Sequence, residues 1–231
     1  MADVTVLLCQ TEDDERRALT RLVEEILGQY DDATAIVGFN CLAYDLPLLW
    51  RRCQYLGLPV PQVRIDKYRP GRVRDLLRIL SWDLLVKPHS LRFYSKRFGL
   101  DVMDTTTGAD VADLVAAGNW DAVRRHCESD ILLTEQLAVR LEVIHPTRPY
   151  VVLDLETVAV SEAAEYLDTI EAPSNYKDPA KIDAYLDAKR KDLLAKAALD
   201  IDLARIVAIG YAASMGEVGR DPRIAALAEG F

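Results

Sequence analysis

The chain has 231 residues, half of them hydrophobic, and sets 28 basic against 37 acidic side chains for a net charge of −9. That is ample apolar material for one large domain or two small ones, and the acidic balance argues against a protein that coats nucleic acid without specificity. No stretch approaches the roughly 20 apolar residues of a membrane span, and the Met1-Ala2-Asp3-Val4 start does not read as a signal peptide. The expectation is a cytoplasmic chain with no membrane partner. Its four cysteines, Cys9, Cys41, Cys53 and Cys127, lack metal or disulfide spacing and read as buried thiols.

In chain order, Val4–Leu8 reads as a short buried strand. Thr11 can cap the helix that follows, with Glu12, Asp13 and Asp14 in its first turn and Leu19, Leu22, Val23, Ile26 and Leu27 on its core face. Ala35–Phe39 is a second strand and Leu46–Leu56 a helix stopped near Gly57 and Pro59. Pro61 to Gly71 is loop-like, Arg72–Leu80 a short helix, and Ser90–Phe98 another, stopped by Gly99. Asp110–Ala117 and Trp120–Leu141 are helices parted by Gly118-Asn119. His145-Pro146-Thr147-Arg148-Pro149 is a linker with two prolines. Beyond it come the strand Tyr150–Leu155, a polar stretch, and a helix from Pro179 to about Leu199. The inner face of that helix is Ile182, Tyr185, Leu186, Leu193 and Leu194. Arg205–Ala213 is a strand, and the last eighteen residues are turn-like, then weakly helical. Helices outnumber strands, so an α/β layered class is expected.

Three acidic segments carry the chemistry. In Val151-Val152-Leu153-Asp154-Leu155-Glu156 an apolar strand ends in two carboxylates at i and i+2, which share one face. Acids held that close repel unless a cation lies between them, and oxygen-rich sites suit Mg²⁺ or Mn²⁺. In Ile36-Val37-Gly38-Phe39-Asn40, with Asp45 five residues on, a strand turns into a helix that Asp45 opens, either as an ordinary N-cap or as a site carboxylate. In His126-Cys127-Glu128-Ser129-Asp130, helical spacing sets Asp130 on the apolar stripe of Val123, Cys127, Ile131 and Thr134, with His126 one turn away. Between Arg64 and Arg97 ten basic residues meet three acidic ones, interleaved with Tyr68, Trp82, Phe93 and Tyr94. That mixture is either a solvated face or a wall that holds phosphates and stacks bases.

Together these motifs resemble the DEDD superfamily of 3′–5′ exonucleases, and most of all the stand-alone exonucleases related to the proofreading domain of family-B DNA polymerases. Asp154-x-Glu156 looks like the first motif, Asn40-x4-Asp45 the second and Asp130 the third. Leu91–Leu100 and the run from Ser174 to Pro179 leading to Arg205–Tyr211 agree. The resemblance implies an RNase H-like mixed sheet flanked by helices, forming one domain over residues 1–231. It also implies two Mg²⁺ or Mn²⁺ held by Asp154, Glu156, Asp45 and Asp130, with His126 as base or water-orienter. The substrate implied is a single-stranded or frayed DNA 3′ end, in the service of a polymerase or repair system. Asn40, Thr157, Tyr94, Arg92 and Lys96 would face that substrate, Asn40 either holding the turn or touching the terminal nucleotide.

The chain departs from the pattern twice. The family's first motif comes last here, so residues 1–144 carry the second and third motifs, 145–149 join the old ends, and 150–231 carry the first. The order is circularly permuted, and requires the strands 205–213 and 4–8 to form an antiparallel pair. A monomer results if the linker spans the gap, a swapped dimer if it does not. The family also places Tyr four residues, or His five residues, before the last Asp. Here His126 stands four before Asp130, with Arg125 five before. A non-catalytic nucleic-acid-binding module and an RNA exonuclease are the competing expectations.

Overall fold

The computed structural model describes residues 3–29, 34–63, 71–145, 147–166, 171–175 and 177–214. In chain order its elements are β1 (Val4–Leu8), α1 (Glu12–Thr20), β2 (Ala35–Gly38), α2 (Asp45–Tyr55), β3 (Val73–Asp75), α3 (Leu76–Leu80), α4 (Leu91–Arg97), α5 (Val111–Ala116), α6 (Trp120–Arg140), β4 (Tyr150–Ala159), α7 (Ala163–Tyr166), α8 (Pro179–Lys196) and β5 (Ala204–Ser214). The strands form one mixed sheet in the order β1-β5-β4-β2-β3. β5 runs antiparallel to both β1 and β4, while β2 is parallel to β4 and β3 is parallel to β2. The two strands from 150–231 therefore lie side by side in the middle of the sheet, with strands from 1–144 on either side of them.

Period-two alternation along β4 sorts its residues between the two helical layers. Val151, Leu153 and Leu155 pack with Leu19 and Leu22 of the segment after β1 and with Leu46 and Leu49 of α2. Tyr150 and Val152 pack on the other face with Leu91 and Tyr94 of α4 and Ile131 and Leu137 of α6. Asp154 and Glu156 continue that second register, so both carboxylates point into the α6 layer. α6 approaches β5 at Gly210, where an added Cβ would lie 2.5 Å from Cys127 Sγ and 2.9 Å from Ile131 Cγ1. Only a residue without a side chain lets this helix sit so close to the sheet.

Behind the sheet, Glu15 of α1 is fully buried and takes both Arg52 Nε (2.7 Å) and a terminal guanidinium nitrogen (2.8 Å), and it also accepts from Ile206 N at 3.0 Å. This ion pair ties α1 to α2 and to β5. The capping of α1 by Thr11 is as expected, with Asp14 returning a hydrogen bond to complete a capping box. After Thr20 the helix widens into a π-helical stretch, Arg21–Ile26.

The segment 72–80 differs from the expected single helix. Val73–Asp75 pairs with Ile36–Gly38 as a parallel edge strand before α3 begins. Three alternating residues are too few for periodicity to separate a strand from a helical turn. The polar stretch after β4 holds the short α7. On α8 the five expected inner-face residues are the half-buried ones, and none is fully buried. Arg64, Lys67, Tyr68 and Arg69 of the basic segment, Pro146 of the linker, Tyr176 and the segment 215–231 lie outside the described residues. All four cysteines are free and buried. Among the described residues no helix is long and apolar enough to cross a membrane.

Candidate active site

Parallel pairing of β2 with β4 runs from Ala35 beside Tyr150 to Val37 beside Val152, so the turn after β2 comes level with Asp154 and Glu156 in the middle of β4, where a cavity of about 630 Å³ opens. Asp154 and Glu156 from β4, Asp45 from the start of α2, and Asp130 and His126 from α6 all line it. Residues separated by more than one hundred positions thus converge on one cavity.

Asp45 does not act as a helix cap. It is the first residue of α2, whose N-cap is Tyr44, and its Oδ1 accepts from Leu155 N on β4 at 3.2 Å. The turn that delivers it is clamped by Asp75 at the end of β3. Asp75 Oδ1 accepts from Asn40 N at 3.0 Å and Leu77 N at 3.0 Å, while its Oδ2 accepts from Leu42 N at 3.0 Å. Asn40 occupies the left-handed region at φ 63°, a conformation Asn tolerates better than most side chains. Gly38 just before it is required by close approach, since a Cβ there would lie 2.6 Å from Cys41 Cβ.

The electrostatics of the cavity are those of crowded anions. Burial raises Asp154 well above the usual carboxylate range, and Glu156, Asp45 and Asp130 push it further. Burial likewise raises Glu156, with Asp130, Asp45 and Asp104 adding to it. Asp45 rises from 3.8 to about 7, mainly through burial, against the pull of its own and the Leu155 amide. Asp130 is raised by burial and partly relieved by His126 and Arg92. Four carboxyls in mutual repulsion hold protons or need a cation. Asp154, Glu156 and the buried Cys127 bring one ligand atom each within 4.8 Å of one another, so this cluster could hold a metal ion. Burial and the neighbouring carboxylates keep the Cys127 thiol well above its ordinary range in the absence of such an ion.

The remaining expected residues divide. Asn40 and Arg92 line the cavity. Arg92 is engaged by the loop after α4, donating to the carbonyl oxygens of Asp104 at 2.7 Å and Thr106 at 2.8 Å. Thr157 lies behind the cavity wall; its hydroxyl donates to the Ala198 carbonyl at 2.9 Å and stands 3.0 Å from the hydroxyl of Tyr44, whose ring lines the site. Tyr94 is buried against Phe39 and Phe93 in the core. Lys96 is exposed on α4 and does not line the cavity. His89 does line it, with its ring stacked on exposed Phe93 at 4.0 Å between centroids.

Two carboxylates went unrecognised in the sequence. Asp104 sits in a loop with no periodicity, yet its Oδ2 lies 2.7 Å from His126 Nδ1. Asp75 reads as one acid in a basic segment, and nothing in its neighbours signals that it would clamp the Asn40 turn. Comparison with protein-family models, with curated proteins and with solved structures returns no match.

Proposed function

We propose that the chain is a metal-dependent 3′–5′ exonuclease that releases nucleoside monophosphates from DNA 3′ ends. The observation that carries this reading is the convergence of Asp154, Glu156, Asp45 and Asp130 on one cavity beside a buried histidine. Hard carboxylate oxygens in mutual repulsion fit divalent cations such as Mg²⁺ or Mn²⁺. When bound, two such ions supply Lewis-acid stabilisation of the charge that develops on the phosphate and on the departing 3′ oxygen.

The chain's own residues do the rest. Asp154, Glu156, Asp45 and Asp130 hold the ions. His126 Nε2 takes a proton from the attacking water as the new P–O bond forms and the P–O3′ bond breaks, and the leaving oxygen is protonated from solvent. Asn40 and Arg92, together with His89 stacked on Phe93, flank the path of the terminal nucleotides.

The sheet supports an RNase H-like fold entered at its third strand. Counted from β4, the strands that would be second and third are β5 and β1, and they pair antiparallel with Val4 opposite Ala212. The permuted order requires this pairing.

The test is release of mononucleotide from a 3′-labelled single-stranded DNA in Mn²⁺, comparing the native chain with Asp154→Ala. Metal-dependent release that the substitution lowers by at least ~10³-fold is expected. Equal release by both proteins would sink the assignment, and so would no release from a folded native chain on either DNA or RNA. Release from RNA alone would keep the chemistry and move the substrate.

A further inference from the structure

We propose that Asp104 is a positioning residue that fixes His126 as the tautomer protonated at Nδ1, leaving Nε2 to face Glu156 beside the cavity. Its catalytic consequence rests on the nuclease reading above; its geometry does not.

His126 is buried on α6, and its ring has one close partner at each nitrogen. Nδ1 lies 2.7 Å from Asp104 Oδ2, a short contact of the charge-assisted kind. Nε2 lies 3.6 Å from Glu156 Oε1, beyond hydrogen-bond distance. An ionised carboxylate can only accept, so the proton in the short contact belongs to Nδ1. Burial works against ionisation of Asp104, but the His126 and Thr106 hydrogen bonds outweigh it and hold its carboxyl below the ordinary value. The opposite tautomer would set the Nδ1 lone pair against that carboxylate. With Nδ1 committed, the neutral ring presents the lone pair of Nε2 toward the acids of the site.

Asp104 is itself held from two sides. Its Oδ1 accepts from Thr106 N at 3.1 Å, and Arg92 of α4 grips the carbonyls of Asp104 and Thr106. The support therefore runs from α4 through Arg92 to the loop, to Asp104, and to the ring. A loop carboxylate, and not the helix alone, sets the direction of the ring.

The chain has three histidines, so the ring nitrogens of His126 can be assigned in a ¹⁵N NMR spectrum by comparison with His126→Gln. In the metal-free native chain at alkaline pH, His126 is expected as the Nδ1–H form alone. Asp104→Ala should shift it toward Nε2–H, and the isosteric Asp104→Asn guards against loss of the loop. On the labelled substrate both variants should lower kcat by roughly 10²–10⁴-fold with little change in KM. Added to His126→Gln, Asp104→Ala should cost nothing more, which a merely structural role would not produce. An Nε2–H ring in the native chain would overturn the proposal, as would native kcat in either variant or a further loss in the His126→Gln background. If the folded chain releases no nucleotide but shows the Nδ1–H form and its shift in Asp104→Ala, the nuclease reading falls and the positioning role stands.

Discussion

The carboxylate cluster makes the stability of the metal-free protein fall as pH rises. Asp45 has a folded value of about 7 against 3.8 ordinarily, so the folded state binds the proton more tightly than the unfolded chain does. Stability from this group is complete below the unfolded value and is lost as pH rises through the folded one. A shift of that size amounts to about 4 kcal/mol in all, of which more than half is lost between pH 5 and pH 7.5. Asp154, Glu156 and Asp130 are shifted the same way and add to the loss. The carboxyls held low, such as Asp104, titrate below this window and leave its slope alone. Urea unfolding in chelator should therefore show lower stability at pH 7.5 than at pH 5, by about 2 kcal/mol or more. Asp45→Asn keeps an acceptor for Leu155 N while removing the charge, so it should flatten the slope and be more stable than the native chain at pH 7.5. Saturating Mn²⁺ should restore the native chain and do less for the variant, because only the folded state holds the ion. Stability that is flat or rising from pH 5 to pH 7.5 in chelator, with Asp45→Asn no better than native, would refute the reasoning.

Two other substitutions probe how the cavity is built. Gly210→Ala sets a methyl against Cys127 Sγ and Ile131, and should cost about 1–3 kcal/mol, a fall in Tm of roughly 2–4 °C for each kcal/mol. Adding Cys127→Ala should return part of that loss, and calorimetry of the single and double variants measures it. Asp75→Ala removes the acceptor of Asn40 N, Leu42 N and Leu77 N and should cost about 2–4 kcal/mol. It should also depress nucleotide release more than a variant of equal stability away from the turn, since the Asn40 turn delivers Asp45.

Much of this protein is local physics and was legible without coordinates. Alternation along Val151–Glu156 put two carboxylates on one face whatever the rest of the chain did, because side chains in a strand repeat every two residues. The spacing of Val123, Cys127, Asp130 and Ile131 put a costly acid on the inner face of α6, because a helix repeats every 3.6. The half-buried stripe of α8 and the cap at Thr11 follow from the same rules. Other features depend on partners that sequence order does not reveal. That Asp45 turns away from its own helix is decided by Leu155 N, which lies 110 positions away. The short strand Val73–Asp75 exists because β2 offers it an edge, not because three residues prefer to be extended. Glu15 could be buried only because Arg52 and Ile206 N meet it there. Asp104, in a loop without any repeat, gains its meaning from a single 2.7 Å contact with His126. Periodicity assigns residues to faces, but a buried charge is decided by what stands opposite it, and that is known only once the chain has closed on itself.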